Sequence, residues 1–143
     1  MLPQARYHLF VYGTLRPGGR YYRKLCAART PRALPAYVRG RLYHLAAGYP
    51  ALAPGDQWVR GDILSFDDNT LLRDIDALEE YDPAGPPHAN VYHRTPVDAY
   101  DADARLIATV DTYRMPMTTI ERMGGVWISS GTWPEGLANT GGP

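Results

Sequence analysis

The sequence predicts an α+β fold with a curved or barrel-like sheet of five to six strands. Several segments rich in aromatic and β-branched residues are separated by turn residues, which is typical of short strands. One segment alone has the clear 3.6-residue periodicity of an amphipathic helix. The chain has 143 residues, 45% of them hydrophobic and 21% charged, which is enough for a proper core. We therefore expect residues 1–143 to form a single domain.

Strand-forming residues recur along most of the chain. The first such segment is apolar or aromatic at nearly every position, which favours a central strand. Gly40 indicates a bulge in the second segment, and Pro96 indicates an edge or a bulge in the fourth. The predicted strands are Tyr7–Tyr12, Ala36–Leu45, Gln57–Phe66, Val91–Tyr100, Arg105–Tyr113 and a short one within Gly124–Ile128.

Glycine, proline and aspartate mark the connections between these strands. Arg114–Met123 has no clear pattern, and Tyr21–Ala27 is compatible with a helical turn. Gly131–Pro143 is expected to be a loose tail, and residues 134–143 in particular. The predicted turns and loops are Gly13–Gly19, Gly48–Pro50, Pro54–Asp56, Ala84–Ala89 and the hairpin turn Asp101–Asp103.

The segment Asn69–Tyr81 is the predicted helix, and Asp67 or Asp68 is suited to cap its start. Four apolar side chains gather on one side, and Glu79 shares that side because it follows Ile75 by four residues. Asp74 and Asp76 flank the apolar stripe, whereas Glu80 points away from it. A carboxylate facing a core must be paired, protonated or used in chemistry. Glu79 is therefore a candidate catalytic residue, with a helix-end residue reaching solvent or an arginine as the alternative.

The composition excludes several classes of function. Fifteen basic and fifteen acidic residues balance, which argues against a dedicated nucleic-acid or anionic-membrane surface. The single cysteine, Cys26, excludes a disulfide framework, and a buried structural thiol is expected there. The four histidines lack a metal-ligand spacing, so no metal site is predicted. The apolar run at the N-terminus is too short for a signal peptide or membrane span, so a cytoplasmic location is expected.

A second candidate feature is the loop that follows the first strand. Gly13-Thr14-Leu15 begins a glycine- and proline-bearing loop whose backbone N–H groups are free to point at a ligand. Taken alone, such a loop is most often a tight turn. It lacks the Gly-Lys-Ser/Thr ending of a phosphate-binding loop, which argues against a nucleotide.

An ordered set of motifs resembles the γ-glutamylcyclotransferase-like family, also called AIG2-like, which includes the γ-glutamylamine cyclotransferases. Tyr12-Gly13-Thr14-Leu15-Arg16 resembles its YGTL or YGSL loop, and Ile75-Asp76-Ala77-Leu78-Glu79 resembles its LD-x-LE segment. Three shorter pieces agree in order and spacing with the family's YP turn, Y-x-R strand and late G-x-W. They are Gly48–Leu52, Tyr92–Arg94 and Gly131–Trp133.

The resemblance implies a small mixed β-barrel with flanking helices and a cavity that releases 5-oxoproline from γ-glutamyl compounds without a cofactor. It implies that Glu79 is the general acid/base and that the backbone of Tyr12–Leu15 cradles the substrate. Tyr92 and Tyr113 are expected to bind substrate, and Arg94 is a further candidate for the cavity wall. The alternatives are a cross-strand pair in the sheet for Tyr92 and Arg94 and a place in the core for Tyr113. Many members have glycine directly after the glutamate, where this chain has Glu80. We expect Glu80 to be dispensable for turnover, although its charge is able to alter substrate choice.

The sequence leaves the leaving group and the oligomeric state open. The chain is expected to act on a small γ-glutamyl amine, peptide or amino acid, as a lyase or acyltransferase type of enzyme. A module that binds a small carboxylate ligand without turnover is the alternative. A third, weaker alternative is another lyase or amide-cleaving activity.

Overall fold

The computed structural model describes residues 2–82, 84–86 and 90–133. Six strands and two α-helices follow one another in these residues, with two short helical turns after the first strand. The strands are β1 (Tyr7–Val11), β2 (Arg32–His44), β3 (Pro50–Phe66), β4 (His93–Tyr100), β5 (Leu106–Arg114) and β6 (Val126–Trp127); the helices are α1 (Asn69–Leu78) and α2 (Met117–Arg122). A π-helical turn spans Tyr22–Cys26 and a 3₁₀ turn spans Ala27–Arg29.

The strands form one mixed sheet that closes into a ring. Their order is β3-β1-β5-β4-β2-β6, and β3 also pairs with β2, so five strands close on themselves with β6 outside the ring. The β1–β5 pair is parallel, and the other pairs are antiparallel. This closed ring of five strands, together with the two α-helices, confirms the predicted α+β, barrel-like fold.

Strand β1 lies at the centre and is buried on both faces, as its composition predicts. Leu9 and Val11 join the hydrophobic cluster that contains the apolar side of α1. Phe10 and Tyr12 join a second cluster, which is built mainly from strand residues of the ring. Successive side chains of a strand point to opposite faces. The strand therefore ties the helix to the barrel and delivers the following loop, at Gly13, to the point where the two clusters meet.

The long β2–β3 hairpin corrects one predicted turn. Pro54–Asp56, which was expected to be a turn, lies inside β3, which is 17 residues long. The register shifts between Gly40 and Arg41, since Gly40 faces Gln57 and Arg41 faces Ala53. Pro54–Asp56 are thus the extra residues of a bulge opposite Gly40, where a bulge was predicted. Turn-forming residues occur in bulges as well as in turns, which explains the error.

Helix α1 starts as predicted and ends earlier. The Asp68 side chain accepts hydrogen bonds from the backbone of Thr70 and Leu71 and caps the N-terminus. The helix ends at Leu78, not at Tyr81, because Glu80 adopts a left-handed conformation with φ of 52°. The Glu80 N–H then bonds to the Ala77 carbonyl at 3.1 Å and the Tyr81 N–H to the Asp76 carbonyl at 2.9 Å. This pair of bonds is a Schellman motif, which closes the helix one residue after Glu79.

The end of the described chain corrects another expectation. Trp133 was assigned to a loose tail, but it is 5% exposed and packs in the second cluster. Its indole N–H lies 3.2 Å from His44 Nδ1, and the two rings stack. Burial of a large aromatic surface holds this segment in place. The expectation for residues 134–143 lies outside the described residues.

The remaining predictions concern the hairpin, the thiol and one segment without a clear pattern. Asp101–Asp103 is confirmed as the turn between β4 and β5, where the Asp101 N–H bonds to the Arg105 carbonyl at 2.9 Å. Cys26 is buried, and burial raises the pKa of its thiol to about 11, so the thiol is a poor nucleophile. The segment Arg114–Met123, which had no clear pattern, contains α2.

Candidate active site

A cavity opens where the end of β1, the following loop and the end of α1 meet. Its volume is about 160 Å³, which suits a small metabolite rather than a drug-sized molecule. All six of the site residues predicted from the sequence besides Glu79 line this cavity together with it. The lining residues are Phe10, Val11, Tyr12, Gly13, Thr14, Leu15, Tyr21, Tyr49, Pro50, Leu78, Glu79, Glu80, Tyr92 and Tyr113.

The loop after β1 lines this space, and the backbone carbonyls of Gly13 and Thr14 are already occupied by hydrogen bonds. The Gly13 carbonyl accepts from the Arg16 N–H at 3.0 Å. The Thr14 carbonyl accepts from the N–H groups of both Tyr21 and Tyr22, each at 3.0 Å. Among the described residues, none accepts a hydrogen bond from the N–H of Gly13, Thr14 or Leu15. These three donors are available to an anionic or carbonyl oxygen in the cavity.

Two glycines make this loop conformation possible. A Cβ atom on Gly13 would lie 2.5 Å from Cγ of Pro50, and one on Gly19 would lie 2.3 Å from the Thr14 carbonyl oxygen. Neither distance is compatible with a side chain, so both positions require glycine. Arg16 anchors the loop to the barrel, because its Nε lies 2.7 Å from Oδ2 of the buried Asp62 on β3. The loop is therefore held rigidly, as a pre-organised donor site needs.

Glu79 follows the last residue of α1 and lines the cavity next to Leu78. It is half-buried, and no side-chain hydrogen bond to it is formed within the described residues. Burial raises the pKa of Glu79 to about 8, and the nearby charges of Asp76 and Glu80 add to the shift. A carboxyl group with a pKa near neutrality both accepts and donates protons at physiological pH. The predicted inward orientation is confirmed by the cavity lining, and the catalytic role stays a prediction.

The three predicted tyrosines line the cavity with hydroxyl groups that are already bonded. The Tyr12 hydroxyl donates to the Tyr113 carbonyl and the Tyr92 hydroxyl to the Pro50 carbonyl, each at 2.7 Å. The Tyr113 hydroxyl donates to Oδ1 of Asp76. Burial is the main cause that raises the pKa of all three side chains, and Glu79 adds to each shift. The three tyrosines are therefore neutral walls of the cavity. Each hydroxyl oxygen can only accept a hydrogen bond from a ligand, because its hydrogen is already donated.

A buried ion pair, which the sequence did not indicate, lies behind Glu79. Oδ1 and Oδ2 of Asp76 lie 3.1 Å from Nε and 3.3 Å from Nη2 of Arg94. Nη1 of Arg94 also lies 3.4 Å from Oδ2 of Asp111. The helical phase placed Asp76 on the flank of the stripe, but it is 7% exposed. The nearest sequence signal was Asp76 itself, as the aspartate of the segment that resembles LD-x-LE. No spacing rule connects it to Arg94, which lies 18 residues later.

Two further cavity residues were also missed as site residues. Tyr49 lies in the turn before β3, and its ring packs against that of Tyr92 at 6.4 Å between centroids. Burial raises the pKa of Tyr49, as do the charges of Glu80 and Glu79. Tyr21 follows the Gly13 loop and lines the same space. Tyr49 lies within the segment that resembles the family's YP turn, and Tyr21 lies two residues after the predicted Gly13–Gly19 loop; these positions were the available signal.

The described residues also bear on two other features, metal binding and membrane-spanning helices. Residues 2–82, 84–86 and 90–133 contain no group of three or more His, Cys, Asp or Glu side chains arranged to hold a metal ion. Within the same ranges, the helices are too short or too polar to cross a membrane.

A comparison with protein families identifies one family whose model matches most of the chain. The model of the family described as gamma-glutamyl cyclotransferase, AIG2-like, matches residues 9–135. No curated protein sequence matches the chain.

Several solved structures share the fold. A protein from Arabidopsis thaliana is 25% identical, with a TM-score of 0.62, and the match covers 85% of this chain and 76% of that one. An AIG2-like protein from Mus musculus is 22% identical, with a TM-score of 0.59 and 78% of each chain covered. Allophanate hydrolase from Kluyveromyces lactis is 15% identical, with a TM-score of 0.64 over 94% of this chain and 21% of that one.

Proposed function

The chain belongs to the gamma-glutamyl cyclotransferase, AIG2-like family, and we propose that it releases 5-oxoproline from a small γ-glutamyl compound. The observation that carries the proposal is that Glu79 lines the same cavity as Gly13–Leu15, whose three N–H groups have no acceptor among the described residues. Such a cavity offers a proton carrier on one side and hydrogen-bond donors on the other. The chemistry of this cyclisation needs both.

The proposed reaction is an intramolecular attack. The α-amine of the γ-glutamyl group loses a proton to the Glu79 carboxylate and forms a bond to its own γ-carbonyl carbon. The γ-carbonyl oxygen becomes an oxyanion and accepts hydrogen bonds from the Gly13–Leu15 loop. The bond between the γ-carbon and the nitrogen of the leaving group then breaks, and Glu79 returns its proton to that nitrogen. The products are 5-oxoproline and the free amine, and Glu79 ends in its starting state.

The remaining cavity supplies orientation. The γ-glutamyl chain must fold so that its amine approaches its own carbonyl, and a small cavity with rigid aromatic walls favours that conformer. Tyr12, Tyr92 and Tyr113 are held by bonds to backbone or Asp76, so their rings form fixed walls. The α-carboxylate of the substrate competes for the same loop donors as the oxyanion, and three N–H groups are sufficient to serve both.

The direct test is a panel of γ-glutamyl amines, peptides and amino acids with detection of 5-oxoproline. We expect product from the wild-type protein and a loss of about 10²- to 10⁴-fold in kcat/KM for Glu79→Gln, the range for removal of a general acid/base. Glu121→Gln, which changes an exposed acid on α2, is the matched control and should retain the rate. A Glu79→Gln variant that kept its rate would remove Glu79 from the mechanism. Tight binding of 5-oxoproline without any product would instead support a binding module.

A further inference from the structure

A notch opens in the wall of the barrel where β2 and β4 separate. The two strands pair at Tyr37–Tyr100 and Val38–Ala99, and their register does not continue beyond Val38. The resulting β2–β4 notch has a volume of about 410 Å³ and is bordered by the bulge of β3 on one side and by β4 and β5 on the other. Its lining includes Arg39, Pro54, Pro96, Asp98, Tyr100 and Arg114. None of these six residues lines the cavity at Glu79, so the notch is a separate feature of the surface.

Arg114, the last residue of β5, brings a charge to this notch without a partner. Within residues 2–82, 84–86 and 90–133, two buried side-chain atoms have no hydrogen-bond partner, Nε of Arg114 and Oγ1 of Thr95. Arg114 also forms no ion pair with the part of the chain that the structure describes. Buried donors are nearly always bonded, so an exception calls for an explanation. A guanidinium N–H is a donor on a cation, and its strongest acceptors are anionic oxygens.

The two unsatisfied atoms belong to neighbouring side chains on the barrel side of the β4–β5 pair. Arg114 faces His93 and Thr95 faces Thr112 in this pair, so Arg114 and Thr95 are diagonal neighbours on one face. Tyr113 points to the opposite face, where it packs with the apolar side of α1. Two adjacent unsatisfied polar atoms indicate a polar partner that the described protein atoms do not supply.

Arg39 contributes a second positive charge to the notch. Its Nη1 donates to the Asp56 carbonyl at 2.7 Å, and its guanidinium lies 3.8 Å from the centre of the Trp58 ring. These contacts hold the group in place, but no acid of the described ranges pairs with it. Asp98, the acidic residue of the described lining, already accepts from Thr109 Oγ1 at 2.7 Å. Two guanidinium groups and one carboxylate leave the notch with one net positive charge.

We propose that the β2–β4 notch is a second binding site, which takes a small organic carboxylate. A guanidinium fork matches a carboxylate through two parallel N–H···O bonds. One negative charge neutralises the notch, whereas a phosphate dianion leaves an excess of negative charge beside Asp98. Pro54 and Pro96 add apolar surface to the lining, which favours a ligand with an apolar body over an inorganic ion. The carboxylate binds to Arg114 and Arg39, and the body of the ligand packs against the two prolines.

The test is an NMR titration of the isotope-labelled full chain that follows the Nε–H resonance of Arg114. Benzoate is the probe, benzyl alcohol keeps the ring without the charge, acetate keeps the charge without the ring, and inorganic phosphate is the more highly charged oxyanion. We expect benzoate to shift the resonance in a saturable manner and to bind about tenfold more tightly than acetate or phosphate at low salt. Benzyl alcohol should have no effect. The absence of a saturable shift, or equal binding of benzyl alcohol, would overturn the site, and tighter binding of phosphate would overturn the carboxylate class.

Variants of Arg114 and a matched control locate the binding by calorimetric titration of benzoate. Arg114→Met removes the charge and keeps a side chain of similar length, and it should weaken benzoate binding at least about tenfold. Arg114→Lys keeps the charge without the fork, so a smaller loss of about threefold is expected. Arg105→Met removes an exposed charge from the β4–β5 turn and should retain the affinity. An affinity that survives Arg114→Met would assign benzoate to another place, such as the cavity at Glu79, and would overturn the proposal.

Arg39→Gln tests the same notch without changing a buried side chain. Arg39 is exposed, so the variant is expected to fold as the wild type does, and benzoate should bind about threefold more weakly to it because an exposed charge is partly screened. An unchanged affinity in Arg39→Gln would overturn the two-arginine site even if Arg114→Met did not fold. Each of these measurements reports binding alone, so its outcome is independent of any release of 5-oxoproline at Glu79.

Discussion

Asp76 and Glu79 are two buried or half-buried carboxylates one helical turn apart, and their surroundings differ completely. Asp76 accepts two hydrogen bonds from Arg94 and one from the Tyr113 hydroxyl. Glu79 faces the cavity and has no such side-chain partner within the described residues. A buried carboxylate is tolerated when it is paired, and an unpaired one shifts its pKa toward the neutral form. The comparison separates an acid that holds the site together from an acid that is left free to exchange a proton.

The two carboxylates are also coupled. The negative charge of Asp76 contributes to the raised pKa of Glu79, after the larger effect of burial. Asp76 in turn fixes Tyr113, which forms a wall of the cavity and whose carbonyl accepts from the Tyr12 hydroxyl. The paired acid therefore orients the walls around the unpaired one. Substitutions at the two positions should have effects of opposite sign on stability.

The largest expected effect on stability is that of Asp76→Asn. The substitution leaves the guanidinium of Arg94, whose side chain is 20% exposed, with Asp111 alone at 3.4 Å. Removing one partner of a buried ion pair is strongly destabilising, and we expect a loss of about 3 kcal/mol in the free energy of unfolding, measured by urea denaturation.

Asp74→Asn is the matched control for this prediction. Asp74 lies two residues earlier on α1 and bonds to Arg29 Nη2 at 2.8 Å, but its side chain is 46% exposed. An exposed ion pair contributes little, so a loss below about 1 kcal/mol is expected. Similar losses for the two variants would mean that Asp76 has no special structural role.

The difference between these two acids could be only partly predicted from the sequence. Helical periodicity placed Glu79 on the inner side, because that inference depends on local spacing alone. The same periodicity placed Asp76 on the flank. Helical periodicity contains no information on Arg94, the partner that β4 brings to the helix from 18 residues away. The parallel β1–β5 pair that positions Tyr113 beside the loop is likewise a non-local pairing.

The ends of elements were predicted less well than their existence, and for a physical reason. The helix was expected to continue to Tyr81 because Pro83 disfavours helical geometry at Asp82, and no glycine marked an earlier stop. Hydrogen bonds from Glu80 and Tyr81 close the helix nonetheless. In the β2–β3 hairpin, Pro54–Asp56 have the composition of a turn, but the pairing on either side continues through them as a bulge.

A second prediction concerns Glu79→Gln and the pH dependence of stability. The pKa of Glu79 is about 8 in the folded protein, against an ordinary value of 4.5. The folded state therefore holds this proton more tightly than the unfolded chain does. The stabilisation that goes with the proton is fully present below pH 4.5 and is lost as the pH rises through 8. An amide stays neutral throughout and avoids that loss.

We expect Glu79→Gln to match the wild type near pH 4 and to exceed it by about 2 kcal/mol at pH 9, after a discount for the part exposure of the side chain. Urea denaturation at a series of pH values measures the difference. Glu121→Gln, at an exposed position, should show no comparable gain. A constant difference between Glu79→Gln and the wild type over this range would contradict the raised pKa.

The smallest expected effect concerns Glu80, a third carboxylate that is neither buried nor paired within the described chain. Its left-handed φ of 52° is unfavourable for any residue with a Cβ atom. Glu80→Gly removes this strain but adds flexibility to the unfolded chain, so a net gain of about 1 kcal/mol in the free energy of unfolding is expected. Glu80→Ala removes the charge and keeps the strain, and it should gain clearly less. Equal gains would locate the cost of Glu80 in its charge beside Glu79. A gain confined to glycine would show that the left-handed backbone conformation, and not the charge, is the cost of glutamate at the position after Glu79.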